Sequence, residues 1–393
     1  MVAEIQWQQI HAIVSDLAES YDENWRQRKR KIGTSFLLVF LMRICFSRSQ
    51  SGYQIIIDEI WDSMKKSGLA LPQEKPFAAS SVCEARAKLD PFIIREMNSS
   101  MIDSFLALNH DRYRWNGFRL FVVDGSTVHL PPELKADGFG GMNPGMHYPQ
   151  GKLSVLLHVG SGAVVDVLLD HKGNERDLAA RHINTLLPGE DAVIYDRGYF
   201  SYELALTHIR KGVDGIFRMP LSGCTKAIQE FIDDPLKPRE RVISISPTAE
   251  QRAAIKKRNR HFVFSPCKLR VIRYFIDSQE YIICTTILDE GIHSSEFGAV
   301  YHERWSVEEH YKACKAILSL EFFHAKSLRG VLQEIFTAEL ALTLSRLVAI
   351  EAETLLSAVT DEKKTHRNLS LYVARMLRKL KPHKKAISRQ KSP

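Results

Sequence analysis

The spacing of hydrophobic residues changes near residue 118 and separates a helical segment from one of mixed strands and helices. Between residues 1 and 117, apolar side chains recur every three or four positions, a period that predicts amphipathic helices. Ser81 is a predicted N-cap, because Glu84 three residues later would complete a capping box. We therefore expect this segment to be a helical N-terminal domain.

Residues 119–219 alternate between short apolar runs and longer amphipathic stretches. The apolar runs predict buried strands, which lie at 119–124, 192–196 and 214–219. The sequence Gly160-Ser161-Gly162 lies between two further apolar runs and predicts a β-hairpin. The amphipathic stretches predict helices at 176–187 and 201–211. Alternating strands and helices are typical of an α/β fold.

The pattern changes again in residues 220–285. Short segments rich in β-branched and aromatic residues predict strands there, at 242–246, 261–264, 269–276 and 281–288. Because these segments interrupt the alternation of strands and helices, we interpret residues 220–285 as a β-rich insertion. From residue 294 to 351 the periodicity predicts helices once more, and a last helix is predicted near 368–380.

Two of the predicted strands end in an acidic residue. Asp124 is followed by Gly-Ser-Thr and Asp196 by Arg-Gly-Tyr, so each strand leads into a turn that contains glycine. Carboxylates at the carboxyl ends of neighbouring strands can converge on a divalent cation. An acidic residue in this position is also a common turn or helix cap, and the pattern alone leaves both interpretations open.

Polar side chains follow one edge of a predicted helix at 301–315. The side chains that fall within about 60° of one another on an α-helix are Tyr301, Arg304, Glu308 and Lys315. An apolar stripe that includes Val307 and Tyr311 lies beside them and would pack against the protein. The same spacing also fits an ordinary amphipathic helix with an ion pair between Arg304 and Glu308.

Composition and charge narrow the class of protein. Of the 393 residues, 45% are hydrophobic and 25% are charged, which excludes a mainly disordered or fibrous chain. The formal net charge is +8, and residues 363–393 hold eleven Lys or Arg and no Asp or Glu. Two further basic clusters lie at 26–31 and 252–273. Such clusters are suited to a polyanion such as nucleic acid, although a solvated surface is the other interpretation.

Other classes of function receive no support from the sequence. The six Cys residues are too far apart for a Cys-x2-Cys metal site and too few for a disulfide framework. The most apolar run, residues 36–46, is interrupted by Arg43 and is too short to span a bilayer. No secretory signal is predicted at the N-terminus. We expect neither a membrane partner nor a secreted protein.

Three motifs, in this order, resemble those of a known family. The spacing Tyr-x2-Arg-x3-Glu-x6-Lys at 301–315 resembles the signature of the insertion-sequence-four transposases, a branch of the DDE transposases. The segments that begin at Asp124 and Asp196 are similar to the first and second acidic motifs of that family. The resemblance covers roughly residues 80 to 350, and the 112 residues between Asp196 and Glu308 leave room for an insertion.

The resemblance implies an α/β, RNase H-like (retroviral-integrase-like) catalytic core with metal-dependent chemistry. It implies that Asp124, Asp196 and Glu308 are the catalytic residues and metal ligands. We expect Mg²⁺, with Mn²⁺ able to replace it, because hard divalent cations suit all-oxygen sites. Two cations would neutralise the clustered carboxylates, one activating the attacking oxygen and one stabilising the leaving 3′-oxygen. No nucleotide cofactor is expected.

The resemblance also implies contacts to DNA. Arg304 would clamp a phosphate, Lys315 would act as a point charge, and Tyr301 would form a hydrogen bond with a phosphate. The basic clusters add further DNA-binding candidates, which are Arg28, Arg30, Lys256, Lys257, Arg258 and Arg260.

Several other conspicuous residues are interpreted as structural. Trp305 and His158 are expected to be core or loop side chains. In relatives an aromatic residue of the insertion holds a flipped base, but this chain has no tryptophan between 220 and 285. The aromatic residues that occur there are expected to pack in strands, and they are Phe262, Phe264, Tyr274 and Tyr281.

Together these inferences predict four parts of the chain. They are a helical DNA-binding domain at 1–117, a catalytic core at 118–219 and 286–350, a β-rich insertion at 220–285, and a C-terminal helix with a basic tail at 351–393. The predicted protein is an insertion-sequence transposase that binds the terminal inverted repeats of its element and double-stranded target DNA. It would act as a homodimer in a synaptic complex, in the cytoplasm of a prokaryote and on the nucleoid when bound to DNA.

Three alternatives stay open. One is a catalytically inactive or host-adopted relative that only binds DNA. Another is an RNase H-like nuclease that cleaves DNA without joining it. The third is a module that binds no nucleic acid and carries basic segments for solubility.

Overall fold

The computed structural model describes residues 2–24, 31–46, 52–68, 71–141, 147–171, 174–276, 278–317 and 322–357, with side chains described from residue 13 onward except at 313–317 and 353–357. Within these residues a central mixed sheet is preceded by a group of helices and followed by three more.

The first part of the described chain is helical, as the periodicity predicts. Its helices are α1 (Val2–Glu23), α2 (Thr34–Phe46), α3 (Tyr53–Lys66), α4 (Ala79–Lys88) and α5 (Pro91–Leu108). The start of α5 is capped by Asp90, whose side chain accepts a hydrogen bond from the backbone N–H of Phe92 at 3.0 Å. The prediction of Ser81 as an N-cap is wrong, because α4 begins two residues earlier and Ala78 occupies the capping position. A separate DNA-binding domain at 1–117 stays a prediction.

The described strands form one nine-stranded sheet. They are β1 (Arg114–Trp115), β2 (Phe118–His129), β3 (Gln150–His158), β4 (Val164–Asp170), β5 (Asp191–Tyr195), β6 (Asp214–Met219), β7 (Glu240–Ile245), β8 (Cys267–Ile276) and β9 (Gln279–Thr285). Their order is β4-β3-β2-β5-β6-β9-β8-β7, with the short β1 paired to β2. β2, β3 and β4 are antiparallel to one another, whereas β5 and β6 run parallel to β2. This mixed sheet fits the RNase H-like core that the sequence implies.

Apolar runs become the central strands because these strands are covered by the core. All five residues of β5 are buried, and β2 contributes the fully covered residues Phe121, Val122 and Val123. The predicted hairpin between β3 and β4 is confirmed, with Gly162 in the left-handed conformation. The intervening helices are α6 (Glu175–His182) and α7 (Tyr202–Lys211). The α6 helix is shorter than predicted, because residues 183–185 form a single 3₁₀ turn.

Residues 220–285 add strands to the edge of this sheet. β9 pairs antiparallel with β6, and β8 and β7 follow it. This segment also contains α8 (Lys226–Ile232) and α9 (Ala249–Arg258), and α9 begins with a capping box formed by Thr248 and Gln251. The predicted strand at 261–264 is wrong, because these residues lie in the connection between α9 and β8. The interpretation of 220–285 as an insertion into a catalytic core stays a prediction.

The last described elements are α10 (Glu296–His302), α11 (Trp305–Ile317) and α12 (Leu328–Ser357). The single helix predicted for 301–315 is broken into two, because the residues between α10 and α11 form tighter turns. At this junction the backbone N–H of Arg304 donates to Tyr301 O, and that of Val307 donates to Arg304 O. α12 packs against α2 and α5.

Two further predictions concern the C-terminal region and membrane-spanning helices. The predicted helix at 368–380 and the basic tail lie outside the described residues. Among the described residues, no helix is both long enough and apolar enough to cross a membrane.

Candidate active site

Asp124 and Asp196 lie at matching positions of two neighbouring parallel strands. β2 and β5 pair with Val122 opposite Ile194, so each aspartate lies two residues beyond a paired position. Both side chains are half-buried, and their charges interact. The parallel register thus brings these two acidic residues together. The prediction of a strand end at Asp124 is wrong, because β2 continues to His129 through its pairing with β3.

Burial raises the pKa of the Asp124 carboxyl to about 6. A hydrogen bond from the backbone N–H of Gly125 and the charge of Arg304 oppose this rise, whereas the carboxylates of Glu175 and Asp196 add to it. Asp124 is therefore a carboxyl group whose negative charge is only partly compensated by the protein.

The pKa of Asp196 is shifted in the opposite direction from that of Asp124. Burial acts to raise its pKa, but the backbone N–H of Arg197, the charge of Arg304 and two further contacts together hold the pKa below its usual value. The Tyr301 hydroxyl donates a hydrogen bond to Asp196 Oδ1 at 3.0 Å, and Arg218 contributes a further positive charge. Asp196 is therefore an ionised, well-held carboxylate near neutral pH.

Glu308 lies on α11 and is bound by Arg304. The Arg304 Nη2 to Glu308 Oε1 distance is 2.6 Å, so the ion pair that the sequence also allowed is formed. Arg304 interacts electrostatically with Asp124 and Asp196 as well. One half-buried guanidinium therefore interacts with all three carboxylates that the resemblance identifies as metal ligands.

The chemistry of these side chains fits a hard divalent cation, although their present arrangement does not form a finished metal site. Across the described parts of the chain, no group of three or more His, Cys, Asp and Glu side chains is arranged to hold a metal ion. Arg304 supplies the positive charge in this arrangement. All three acids offer carboxylate oxygens, and the raised pKa of Asp124 shows that the group would gain from more positive charge.

Side chains of α11 hold this helix against the sheet. The Tyr311 hydroxyl donates to Asp124 O at 2.8 Å and to Leu153 O at 3.2 Å. Val307, one turn earlier, is fully buried. The sequence pattern places Val307 and Tyr311 in one apolar stripe, and both are buried. The role of the Tyr311 hydroxyl was missed, because it depends on which backbone atoms the helix meets.

Arg218 is a further residue of the site that sequence reasoning missed. It lies on β6, with its guanidinium carbon 5.8 Å from the centre of the Tyr301 ring and 5.0 Å from that of Tyr281. It also forms a hydrogen bond that lowers the pKa of the Tyr301 hydroxyl, although burial raises that pKa overall. An arginine among the apolar residues at the end of this strand was the signal that could have identified it.

The predicted DNA-binding residues are placed in different surroundings. Tyr301 is 8% exposed, and its hydroxyl contacts Asp196. Arg28 and Arg30 lie outside the described residues, as does the side chain of Lys315. The remaining candidates are exposed at the end of α9 and just after it, and they are Lys256, Lys257, Arg258 and Arg260.

A groove of about 900 Å³ lies beside this basic end of α9. Arg258 lines the groove and pairs with Glu203 at the start of α7. The groove extends towards the site, because Arg197, the residue after Asp196, also lines it. The other basic lining residues are Arg176 and Lys226.

The residues interpreted as structural have mixed outcomes. His158 is fully buried, and burial lowers its pKa to about 3, which confirms a neutral core histidine. Trp305 is 46% exposed, so its interpretation as a core residue is wrong. Tyr274 and Tyr281 stack on neighbouring strands at 5.3 Å between ring centres, as expected. Phe262 and Phe264, in contrast, pack partly buried in a connection rather than in a strand.

Comparison with known proteins defines the class. Residues 115–344 match the family described as "Transposase DDE domain". Because this match spans more than half of the chain, the chain belongs to the DDE transposase family.

Individual relatives are distant. The chain is 23% identical over 149 residues to the protein named "Putative transposase InsZ" of Escherichia coli (strain K12). The aligned part is 36% of this chain and spans half the length of that relative. Among solved structures, the chain is similar to the piggyBac transposase in a cryo-EM structure of its synaptic complex with hairpin DNA, with a TM-score of 0.42 and 11% identity. That similarity covers 94% of this chain and 77% of the other.

Proposed function

We propose that this protein is an insertion-sequence transposase of the insertion-sequence-four type, which cuts the 3′ strands at the ends of its element and joins them to target DNA. The observation that carries the proposal is the grouping of Asp124, Asp196 and Glu308 around Arg304, inside the region that matches the family. Family membership supports transposase chemistry, and the grouping supports these residue assignments.

Asp124, Asp196 and Glu308 would hold two divalent cations, Mg²⁺ or Mn²⁺. When bound, such cations supply activation of the attacking oxygen and stabilisation of the leaving 3′-oxygen in an in-line phosphoryl transfer. The chain's own residues prepare the site for them. Tyr301 orients Asp196 through its hydrogen bond, and Tyr311 holds α11 against the strand that carries Asp124.

Arg304 would exchange one negative partner for another during the reaction. In the absence of metal it neutralises Glu308. If Glu308 were held by a divalent cation instead, the planar guanidinium of Arg304 would be able to bind a DNA phosphate with two hydrogen bonds. Lys315, on α11, would add a point charge to this phosphate contact.

The basic surface around the end of α9 would position the DNA. Lys256, Lys257, Arg258 and Arg260 are exposed side by side next to a groove that extends to Arg197. Contacts to phosphates from such a surface supply affinity without reading sequence. The helical segment at 1–117, including Arg28 and Arg30, would contribute the recognition of the terminal repeats, and a homodimer would bring two ends together.

Cleavage of the element's own ends tests the proposal. The full chain is incubated with labelled duplexes that carry the genomic DNA flanking its coding sequence, with Mg²⁺, Mn²⁺ or EDTA. We expect nicking at the 3′ strand in either metal and none in EDTA. Glu308→Gln should abolish nicking while the end is still bound, because the variant keeps the shape of the side chain but loses its charge.

The neighbouring Glu309→Gln is the matched control. Glu309 contacts Trp305 and Lys312 and is not one of the proposed metal ligands, so its variant should nick DNA normally. Equal loss of nicking in both variants, or full activity of Glu308→Gln, would contradict the assignment. Binding of the ends without nicking in any metal would favour the catalytically inactive relative instead.

A further inference from the structure

The groove beside the basic end of α9 opens at the carboxyl ends of two parallel strands. β5 and β6 run parallel and end at Tyr195 and Met219. Met219 lines the groove, and so do Pro220 and Arg197, which follow these strands. Asp196 stands between Tyr195 and Arg197 in the chain. The groove therefore begins at the edge of the sheet where open α/β sheets bind their ligands, beside one of the proposed catalytic carboxylates.

The lining of the groove carries an excess of positive charge. Its charged side chains are four basic and two acidic ones, which are Arg176, Arg197, Lys226, Arg258, Glu203 and Glu230. Arg258 pairs with Glu203. Lys226 lies 3.9 Å from Glu230. The excess therefore lies with Arg176 and Arg197, at the end of the groove beside Asp196. This charge favours an anionic ligand.

One of these arginines is held in place by the turn that follows Asp196. Arg176 Nε donates a hydrogen bond to Gly198 O at 3.0 Å. Arg176 belongs to α6 and Gly198 to the connection between β5 and α7, so this bond joins two parts of the groove wall. The positive charge is thus positioned next to the proposed site before any ligand binds.

The rest of the lining combines apolar and neutral polar side chains. The apolar part includes Phe200 and Ile245, and hydroxyl groups come from Ser201, Ser244 and Thr248. Phe200 is partly exposed and packs edge-on against a neighbouring phenylalanine with 5.5 Å between ring centres. Nucleobases have flat faces that stack on aromatic rings and polar edges that form hydrogen bonds. This lining therefore suits nucleotides better than it suits a small inorganic anion.

The size of the groove distinguishes one strand of DNA from two. A volume of about 900 Å³ equals that of a cube about 10 Å on a side, whereas the major groove of a duplex alone is about 12 Å wide. A duplex is therefore too wide to enter, although it can lie across the exposed end of α9. A single strand can enter, because sites of about 300–1,000 Å³ enclose ligands with several rings.

We propose that this groove, bounded by α7, α8 and α9, binds a few nucleotides of single-stranded DNA next to the scissile phosphate. The inference rests on the proposed function and deepens it, because it names the form of DNA that the site receives. Arg176 and Arg197 bind backbone phosphates of the separated strand, and the ring of Phe200 stacks on a base. The duplex is unpaired over a few base pairs beside the cleavage point, while its paired part lies on the basic end of α9.

Two neighbouring alanines of α9 provide a matched pair of variants. Ala253 and Ala254 are both exposed, but only Ala254 belongs to the lining of the groove. Ala254→Glu therefore places a negative charge and additional volume in the groove. Ala253→Glu makes the same chemical change outside it and is the control.

Binding is measured by fluorescence anisotropy in EDTA, so that no DNA is cut. The labelled DNA is an element end whose flank is either fully paired or unpaired over a few nucleotides. The wild type should bind the unpaired end more tightly, because the cost of separating the strands is already met. Ala254→Glu should weaken binding of the unpaired end about 10-fold, the order of effect of losing one stacked base, and change binding of the paired end less than about 2-fold. Ala253→Glu should bind both ends as the wild type does.

Cross-linking of the wild type locates the strand without any variant. 5-Bromouracil is placed in the unpaired flank next to the cleavage point, the complex is irradiated, and linked peptides are identified by mass spectrometry. We expect links to the peptide that contains Phe200 or to residues 219–227. These links should be lost in Ala254→Glu and kept in Ala253→Glu.

The outcomes separate this inference from the proposed function. If Ala254→Glu weakens binding of paired and unpaired ends equally, the groove does not select a single strand and the inference is wrong. Equal binding by the two variants, with cross-links outside the groove, would overturn it as well. In either case, metal-dependent nicking by the wild type that Glu308→Gln lacks leaves the proposed function standing. Selective binding of unpaired ends without nicking in any metal would uphold the groove as a single-strand site and overturn the proposed function.

Discussion

At the scale of single residues, the charge balance of the site depends on Asp124. Asp196 and Glu308 are each bound directly, by Tyr301 and Arg304. Asp124 instead retains a pKa well above that of an ordinary aspartate, mainly because it is buried. A carboxyl group that is costly to ionise in the absence of a ligand is typical of a functional site, where ionisation serves function rather than stability.

Replacing Asp124 with asparagine should stabilise the metal-free protein. The folded-state pKa is about 6 against an ordinary value of 3.8, so the folded state binds more protons than the unfolded state between these values. The free energy of unfolding therefore falls as the pH rises through this range. We expect Asp124→Asn to raise that free energy by about 2–3 kcal/mol near pH 7, and much less near pH 4, in urea denaturation with EDTA.

Asp196→Asn is the control for this prediction, because its sign is reversed. The pKa of Asp196 is lowered in the folded state, so its ionised form stabilises the fold above the ordinary pKa. The asparagine variant should therefore lose stability near neutral pH. A gain of the same size for both variants would show that loss of charge in general, rather than the burial of Asp124, is responsible.

At the scale of elements, the Tyr311 hydroxyl joins helix α11 to the sheet. Tyr311→Phe removes the hydrogen bonds to Asp124 O and Leu153 O and leaves buried carbonyl groups with fewer donors. We expect a loss of about 1–3 kcal/mol in the free energy of unfolding and slower DNA nicking with normal end binding. Tyr148→Phe, on an exposed tyrosine, is the control and should change neither quantity. Normal nicking by Tyr311→Phe would show that α11 is held by other contacts.

A buried ion pair joins the first helices to the last one. Arg86 on α4 donates to Glu334 Oε1 on α12 at 2.5 Å and to Gln333 Oε1 at 2.9 Å, and both ion-pair partners are nearly inaccessible to solvent. Removing one partner leaves a buried charge without compensation, which costs about 3–5 kcal/mol.

Arg86→Met should therefore lose about 3–5 kcal/mol in the free energy of unfolding, measured by urea denaturation. The comparison is Lys226→Met, which breaks an exposed pair with Glu230 and should cost at most about 1 kcal/mol. Similar losses for the two variants would mean that the α4–α12 contact contributes little to stability.

Much of this element structure was predictable from local patterns. The strands that carry Asp124 and lead into Asp196 follow from short apolar runs, and their pairing follows from the parallel arrangement that such runs favour. The end of the first strand does not follow from its apolar run, because its pairing with β3 continues past Asp124 to His129. The break between α10 and α11 could not be predicted, because Tyr301 and Arg304 lie within a pattern that also suits a continuous helix. The place of the turn depends on tertiary packing, in which α11 lies against β2 and α12.

The same limit applies to the candidate site. Glu308 could be identified from the sequence by its spacing from Tyr301 and Arg304. Arg218 was harder to identify, because an arginine in a mostly apolar strand was its only signal and its distance from the site is set by tertiary packing. The strand predicted at 261–264 failed for a related reason: the aromatic residues Phe262 and Phe264 pack against helix α7 and its neighbours, with Phe264 stacked on Tyr202.

At the scale of the whole molecule, the distribution of charge predicts where DNA would bind. The basic residues at the end of α9 form an exposed surface beside the groove that extends towards Asp196. Each phosphate contact contributes about 0.9 to the slope of log affinity against log salt concentration. The salt dependence of binding therefore counts the contacts that this surface makes.

A triple variant, Lys256→Gln, Lys257→Gln and Arg260→Gln, should lower that slope by up to about 3. Filter binding to a labelled end duplex over a series of salt concentrations provides the measurement. Lys135→Gln, on an exposed lysine of a separate 3₁₀ turn, is the control. An unchanged slope in the triple variant would mean that the DNA lies on another face of the molecule.

Strand joining tests the central claim most directly, that one carboxylate group catalyses phosphoryl transfer between DNA strands. The full chain is given a pre-cut element end with a free 3′-hydroxyl, a supercoiled plasmid and Mg²⁺, beside Glu308→Gln and Glu309→Gln. The account predicts joined products from the wild type and from Glu309→Gln, and none from Glu308→Gln, from EDTA or from an end with a 3′-deoxy terminus. Nicked but unjoined DNA would contradict the account and identify a nuclease, and joining by Glu308→Gln would show that the chemistry occurs at another site.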